Sequence, residues 1–328
     1  MKQQKIYASF DGSQNRENLS ELCLELLAEQ KKTWPELQKA YEYLKNIKVR
    51  DLHCTGFSVK IQHNPGRVRS STANIDNAHI NSRPCFLCIN NLPEPQKGIL
   101  YRDAYLILCN PAPVFPSHLT ISCLYHRPQA IAEHVDTLIQ LAVDLGKQWA
   151  VLYNGPRCGA SAPDHLHFQA VPSGLMPIEK EKSDEKRFFI IREIDGVTIS
   201  RIHDFGREVI TLVGENKPNI VSVFKCILTA LTKMLLTDDE PMINAIVQNN
   251  EKSLRFFIFP RAKHRPEAFF GTGADRILVS PAVIEMGGVI ITPIEKDFER
   301  LGASDVEGIY KEVSLGKDVI YEILSMYA

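Results

Sequence analysis

The sequence predicts an α/β protein built from two successive α/β blocks. Short apolar or alternating runs typical of strands recur in both halves of the chain, separated by longer runs with helical periodicity. After Pro172 a segment dense in charged residues, 178–187, indicates an exposed linker. A length of 328 residues suits about two domains. We therefore divide the chain into an N-terminal helical segment, a first block and a second block, at 1–50, 51–182 and 183–328.

Within the N-terminal segment, apolar residues recur at helical spacing between residues 17 and 44. The Trp34-Pro35 pair divides this stretch into two helices, because proline suits a first helical turn better than a helix interior. In the first block, strands are predicted at 56–62, 105–108, 119–124 and 151–153, with a helix at 131–151. In the second block, strands are predicted at 188–194, 197–202, 243–248 and 254–260, with a helix at 219–236.

Composition excludes several classes of protein. The formal net charge is -1, so no global positive field indicates DNA or RNA as a partner. No apolar run is long enough to span a membrane. Eight scattered cysteines without an N-terminal signal peptide predict reduced thiols and a cytoplasmic location.

The most informative stretch is the sequence His165-Leu166-His167-Phe168-Gln169 after the small-residue loop 155–163. Alternate residues of a strand share a face, so the two histidines and the glutamine are expected to project together. Two imidazoles and an amide beside a loop rich in backbone N–H groups suit chemistry on a phosphate. The alternative is a half-buried strand with incidental polar residues. A Cys85-x-x-Cys88 pair stands apart and, taken alone, indicates a redox pair, a metal site or two buried small residues.

These motifs resemble the active-site segment of the nucleotidyl-transferring branch of the histidine-triad superfamily. That branch includes galactose-1-phosphate uridylyltransferases, diadenosine tetraphosphate phosphorylases and GDP-hexose phosphorylases. Its members carry a His-x-His-x-Gln motif, in which glutamine stands where the hydrolases of the superfamily have a third histidine. The resemblance implies that His167 is the nucleophile and that Gln169 steadies the phosphoryl oxygens. Further donors to the substrate would come from the preceding segment, at Asn154, Gly159, Ala160 and Ser161.

The resemblance also implies a structural zinc ion, and no nicotinamide or flavin. Its ligands would be Cys85, Cys88, His126 and His165, a closed set without an open coordination position. His118 competes with His126, which we prefer because it follows the strand 119–124 and precedes Arg127-Pro128.

Basic residues provide candidates for binding the substrate. Asn64, Arg67 and Arg69 follow a strand that borders the nucleotide site in the resembled family, although a surface hairpin is an equal alternative. In the second half, the segments 257–261, 280–288 and 295–299 resemble the C-terminal region of GDP-hexose and related phosphorylases. Arg261 and Lys263 there would fit a phosphate, or the segment could simply end a strand at the surface.

The resemblance implies two histidine-triad-like units, each a mostly antiparallel sheet with packed helices, forming one pseudo-duplicated fold with a single catalytic motif. The function that follows is phosphorolysis of a nucleoside diphosphate sugar through a covalent nucleotidyl-His167 intermediate. Alternatives are a diadenosine polyphosphate phosphorylase, a hexose-1-phosphate uridylyltransferase and, from another class, an inactive nucleotide-binding protein. The expected partners are a nucleotide sugar or dinucleotide and phosphate, and homodimers are common in the family.

Overall fold

The computed structural model describes residues 3–13, 18–73, 76, 78, 80, 82–183, 187–202 and 204–325. Its strands are β1 (Ile6–Phe10), β2 (Lys48–His53), β3 (Ser58–His63), β4 (Gly98–Tyr101), β5 (Tyr105–Cys109), β6 (Leu119–Cys123), β7 (Trp149–Asn154), β8 (His167–Pro172), β9 (Phe188–Ile194), β10 (Val197–Ile202), β11 (Ile210–Gly214), β12 (Ile243–Asn249), β13 (Leu254–Pro260) and β14 (Val289–Thr292). Its helices are α1 (Leu19–Thr33), α2 (Pro35–Leu44), α3 (Val68–Ser71), α4 (Val135–Leu145), α5 (Lys217–Met234), α6 (Glu267–Phe270), α7 (Val283–Met286), α8 (Glu295–Arg300), α9 (Ala303–Val313) and α10 (Lys317–Ser325). Short 3-10 turns occur at Gln3–Lys5, Pro65–Arg67, Ile89–Asn91 and Pro177–Ser183.

One large sheet runs through both halves of the chain, in the order β1-β4-β5-β6-β8-β7-β12-β13-β11-β10-β9. Its pairs are antiparallel except for β1 and β4, which run parallel. The halves meet where β7 pairs with β12, with Tyr153 opposite Ala245. A second, smaller sheet has the order β14-β3-β2 and so combines strands from both ends of the sequence.

The two faces of the large sheet are covered differently, and this places the polar residues of β8. Phe168 and Ala170 belong to the apolar cluster that contains the buried faces of α1, α4 and α5. Val171 belongs to the cluster on the other face, which contains residues of the small sheet and α9. Because side chains alternate along a strand, His167 and Gln169 point to the same side as Val171.

The predicted α/β class, with mostly antiparallel sheets and packed helices, is confirmed. The strands predicted at 188–194, 197–202 and 254–260 have the observed bounds. The helix predicted at 131–151 is wrong in extent. The observed helix, α4, spans Val135–Leu145 and is followed by Gly146, which has a φ of 75°, and Trp149 already begins β7.

Two further predictions need correction. The segment 1–50 is not purely helical, since β1 adds a strand to the large sheet and β2 begins at Lys48. The segment 178–187 is not a simple exposed linker, although its residues 184–186 lie outside the described ranges. Ile178 is buried, and the buried Glu179 carboxylate accepts hydrogen bonds from the backbone N–H groups of Gly174 and Met176. Those donors explain why a charged residue is tolerated there.

In the described parts of the chain, every helix is too short or too polar to cross a lipid bilayer. The eight cysteines all lie in the described ranges, and none of them is in a disulfide.

Candidate active site

The backbone of His167 is held by the side chain of Gln129, which is itself buried. The Gln129 Oε1 accepts from the His167 N–H at 2.8 Å, and the Gln129 Nε2 donates to the carbonyl oxygens of His167 at 3.0 Å and Asn154 at 2.8 Å. One amide therefore satisfies backbone groups of β7 and β8, at the point where the loop between them leaves the sheet.

The His167 ring is oriented by its own strand. Its Nδ1 lies 2.8 Å from the His165 carbonyl oxygen, which can only accept, so Nδ1 carries the proton. Nε2 is then left with its lone pair. Burial lowers the pKa of His167 to about 4, so the imidazole is neutral near pH 7. A neutral ring with a free, fixed Nε2 is the form that can act as a nucleophile.

Gln169 is oriented by His118. The His118 Nδ1 accepts from the Val114 N–H at 3.2 Å, which leaves the proton on Nε2. The His118 Nε2 donates to the Gln169 Oε1 at 2.7 Å. The amide nitrogen of Gln169 is thus the end available to a ligand, and it is a hydrogen-bond donor. Burial, together with the charge of Arg67, lowers the pKa of His118 to about 3, so this arrangement persists across the neutral range.

His167 and Gln169 line a cavity of about 750 Å³. Its wall includes Gly159 and Ser161 of the loop between β7 and β8. Gly159 has a φ of 112°, and a Cβ atom there would lie 2.5 Å from the Ala282 Cβ. The loop therefore approaches the segment before α7 at a distance that only glycine permits.

The charge of the cavity wall is positive. Arg67 and Arg69 line it, and so does Arg83, whose charge is balanced by Asp164 at 3.0 Å. Glu285 is the one carboxylate on the described part of the wall. Burial raises the pKa of Glu285 to about 7, which reduces its negative charge at neutral pH. The wall is therefore suited to an anionic ligand.

A cluster of metal-ligating side chains adjoins the strand of His167. The sulfur and nitrogen atoms of Cys85, Cys88, His126 and His165 all lie within 4.8 Å of one another. The His165 Nδ1 is 3.2 Å from the Cys85 Sγ and 3.6 Å from the Cys88 Sγ, and the His126 Nδ1 is 3.3 Å from the Cys88 Sγ. Tetrahedral zinc separates a sulfur from a nitrogen ligand by roughly 3.6 Å, so the set could hold this metal.

The orientation of the His165 ring also suits a metal site in this cluster. Its Nε2 lies 2.7 Å from the Cys123 carbonyl oxygen, so this nitrogen carries the proton and Nδ1 faces the cysteines with its lone pair. The expectation that His165, His167 and Gln169 share one strand face is wrong in one respect. β8 begins at His167, and the His165 ring lies in the cysteine cluster instead of the cavity. His126 belongs to this cluster, whereas His118 contacts Gln169.

The structure places Asn154, Gly159, Ser161, Arg67 and Arg69 at the cavity, and Ala160 at a smaller hollow beside it. Three residues that the sequence predicts to contact the ligand lie elsewhere, namely Asn64, Arg261 and Lys263. The Asn64 side chain is buried and donates to the Pro113 carbonyl. The Arg261 guanidinium is fully buried and donates to acceptors of the protein, namely Asn244 and the carbonyl groups of Lys263, His264, Pro281 and Val313.

Lys263 points to the surface, where it pairs with Glu312 at 2.8 Å and Glu267 at 3.1 Å. The residues of this basic segment that line the smaller hollow are His264 and Arg265. Sequence reasoning missed Arg265, Gln129 and the role of His118. The run of basic residues after Pro260 was a signal for the first, but it did not say which side chain turns inward.

The chain matches two family models in succession. Residues 26–172 match one described as a domain of unknown function (DUF4922), and residues 177–326 match the GDPGP1-like, C-terminal domain. No curated protein matches the chain in sequence.

Solved structures resemble the chain over nearly its whole length. The yeast Ap4A phosphorylase Apa2 aligns with a TM-score of 0.61 at 15% identity, covering 92% of this chain and 98% of that one. The complex of Apa2 with Ap4A aligns with a TM-score of 0.56 at 16% identity, with the same coverage. These identities show a shared fold. This shared fold and the match of residues 177–326 to the GDPGP1-like C-terminal domain support the predicted resemblance to the uridylyltransferase-like branch of the histidine-triad superfamily.

Proposed function

We propose that this protein is a nucleotidyltransferase that cleaves a phosphoanhydride with phosphate, through a nucleotidyl group carried on His167. In the first step the His167 Nε2 attacks the α-phosphorus, a P–N bond forms, and the P–O bond to the leaving phosphate group breaks. In the second step an oxygen of inorganic phosphate attacks the same phosphorus and the P–N bond breaks. The observation that supports this most directly is the neutral His167 ring at the cavity, with Nδ1 bound to the His165 carbonyl.

Stabilisation of the transition state is assigned to donors on the cavity wall. Charge that develops on the non-bridging oxygens needs hydrogen-bond donors that are already in place. The Gln169 amide nitrogen is such a donor, because His118 occupies its oxygen. Asn154 is similar, since its Oδ1 accepts from the Val283 N–H and from Asn244, both at 2.8 Å. The Ser161 hydroxyl and the N–H groups of the same loop complete the set.

The substrate we favour is a nucleoside diphosphate hexose, which would give a nucleoside diphosphate and a hexose 1-phosphate. The GDPGP1-like domain over residues 177–326 and the matching motifs in the sequence support this choice. A dinucleoside polyphosphate is the second candidate, because the fold of the yeast Ap4A phosphorylase covers 92% of the chain. Both substrates place an anhydride next to a nucleoside, so one mechanism serves either.

Zinc is the metal proposed for the four-residue cluster. Two thiolates and two imidazoles are a common closed ligand set for structural zinc. Bound there, the ion would fix His165, whose carbonyl oxygen in turn orients His167. Its role would be to hold the strand in place.

Covalent labelling tests the proposal. The purified protein is mixed with nucleotide sugars of each base, and with Ap4A, all labelled at the α-phosphate. We expect one of them to leave label on the protein that is stable to base and labile to acid, as a phosphoramidate is. His167→Gln should abolish the label, whereas His53→Gln, at an exposed histidine bonded to Ser58, should not.

Label retained by His167→Gln would contradict the assignment of the nucleophile. Binding of nucleotides without label or products, across the whole panel, would show a nucleotide-binding protein instead of an enzyme. Adding phosphate to the labelled protein should release nucleoside diphosphate, and release of the monophosphate alone would indicate hydrolysis.

A further inference from the structure

The loop 92–97, which precedes β4, forms part of the wall of the His167 cavity. Its residues Leu92, Pro93 and Gln96 line the cavity. A loop has no strand or helix partners for its backbone groups, so those groups must be bound by side chains or by water. The shape of this part of the wall therefore depends on what binds the carbonyl groups of the loop.

Lys5, directly before β1, binds three successive carbonyl groups of this loop. Its Nζ donates to the Pro93 oxygen at 2.6 Å and to the Glu94 oxygen at 2.9 Å. The Leu92 oxygen lies 3.3 Å from the same nitrogen. An ammonium group has three donors, so these contacts use its full capacity. Because the donor is charged, these hydrogen bonds are stronger than those between neutral groups.

Gln30 of α1 binds the next part of the same loop. Its Nε2 donates to the Pro95 carbonyl oxygen at 3.1 Å, and its Oε1 accepts from the Lys97 N–H at 2.8 Å. The Gln30 side chain is buried, so water is a poor substitute for it. Lys5 and Gln30 together therefore bind four successive carbonyl groups and one N–H of a loop of six residues.

The loop brings apolar surface to the cavity. Leu92 packs in one apolar cluster with Leu108 of β5, and both side chains line the cavity. The buried Gln96 joins the loop to the end of β5, since its Nε2 donates to the Cys109 carbonyl oxygen at 3.2 Å. Apolar surface of this kind suits the uncharged part of a nucleotide, in contrast to its phosphates.

From this arrangement we infer that Lys5 and Gln30 are positioning residues, through which the N-terminal segment sets the affinity of the cavity for its nucleotide. This inference rests on the proposed function. The two side chains hold the loop 92–97 in the shape that the nucleotide requires, and they take no part in the bond changes at His167. A wall that is in place for only a fraction of the time lowers the apparent affinity by that fraction. The rate at saturating nucleotide is then unchanged.

The test measures how the rate of protein labelling depends on the concentration of the nucleotide that labels the unsubstituted protein. Lys5→Met keeps an unbranched side chain but removes its donors. The concentration for half-maximal rate should rise roughly 10-fold, as for a wall that is in place about a tenth of the time. The rate at saturation should stay the same. Lys39→Met, at an exposed position on α2, is the matched control and should behave as the unsubstituted protein.

Hydrogen exchange of the backbone N–H groups, followed by mass spectrometry without ligand, gives a second measurement that does not depend on turnover. Lys5→Met should speed exchange in the loop 92–97 and leave exchange in β7 and β8 unchanged. A general loss of stability would instead speed exchange in all three. If Lys5→Met does not fold, Gln30→Met takes its place in both experiments, because it removes the partner of the Pro95 carbonyl and the Lys97 N–H.

An unchanged concentration for half-maximal labelling in a folded variant would overturn the positioning role. Exchange that rises equally in the loop and in the sheet would overturn it as well. If no nucleotide labels the unsubstituted protein, the proposed function fails, while the exchange experiment still reports whether Lys5 holds the loop. The two failures are thus distinguishable.

Discussion

Replacing Gly159 by alanine places a methyl group where the active-site loop touches Ala282. The new Cβ would lie 2.5 Å from the Ala282 Cβ and 2.9 Å from its Cα, and the residue has a φ of 112°. The unfavourable φ contributes about 1–2 kcal/mol, and the overpacking contributes about 1–3 kcal/mol more. We therefore expect Gly159→Ala to lower the free energy of unfolding by about 2–5 kcal/mol.

A second glycine separates the two contributions. Gly146 also has a positive φ, 75°, but nothing lies within 4 Å of its ideal Cβ position. Gly146→Ala should therefore lower the free energy of unfolding only by the contribution of the unfavourable φ, about 1–2 kcal/mol. Adding Ala282→Gly to Gly159→Ala removes the closest contact but leaves the one to the Cα, so we expect partial recovery.

Denaturant unfolding of the three variants measures these differences, and the rate of protein labelling measures their effect on the site. Because the loop forms one wall of the cavity, a shift approaching 1 Å should slow labelling by about 100-fold in Gly159→Ala. Equal stability of Gly159→Ala and Gly146→Ala would refute the reasoning, since it would show that the contact with Ala282 has no energetic consequence.

Three further predictions concern the surroundings of His167. Gln129→Met removes the side-chain partner of buried N–H and carbonyl groups in β7 and β8. In denaturant titrations it should lower the free energy of unfolding by about 2–5 kcal/mol. The matched control, Gln38→Met at an exposed position, should have little effect. Cys88→Ser should reduce bound zinc in elemental analysis and lower the unfolding temperature, whereas Cys226→Ser, on the exposed side of α5, should alter neither. The pKa of Glu285 rises from its ordinary value of 4.5 to about 7 on folding, so its carboxylate destabilises the fold increasingly as pH rises through that interval. Glu285→Gln should therefore match the unsubstituted protein in stability at pH 4 and exceed it by about 3 kcal/mol above pH 7, and an equal difference at both pH values would contradict the assignment.

The parts of the fold that the sequence predicted well are those where the local pattern of residue types is distinctive. Strands such as β9 and β13 are runs of apolar and β-branched residues bounded by turns, so their limits follow from composition. β1 was missed because a short alternating strand at an edge has little to distinguish it from a polar loop. Its parallel partner, β4, lies about ninety residues away in the sequence, and nothing local indicates such a pairing.

The residues of the candidate site likewise fall into those that the sequence predicted and those that it did not. The set of Cys85, Cys88, His126 and His165 follows from the resemblance to the nucleotidyl-transferring branch, and the structure brings all four together. The contact between His118 and Gln169 joins β8 to the residue before β6, which is a matter of register between neighbouring strands. The direction of Arg261 and Arg265 depends on how the chain turns after Pro260, and that turn is set by tertiary packing.

The pairing of β7 with β12 has a consequence for how the two matched regions can exist. The boundary between them, at residues 172–177, falls within a chain whose hydrogen bonds continue from one region to the other through Leu152 and Ile246. Cutting there would uncover a long apolar strand in the middle of the sheet, and uncovered strands of that kind associate with other molecules. We therefore expect that neither half folds correctly without the other. Substitutions in either half must preserve the pairing of β7 with β12.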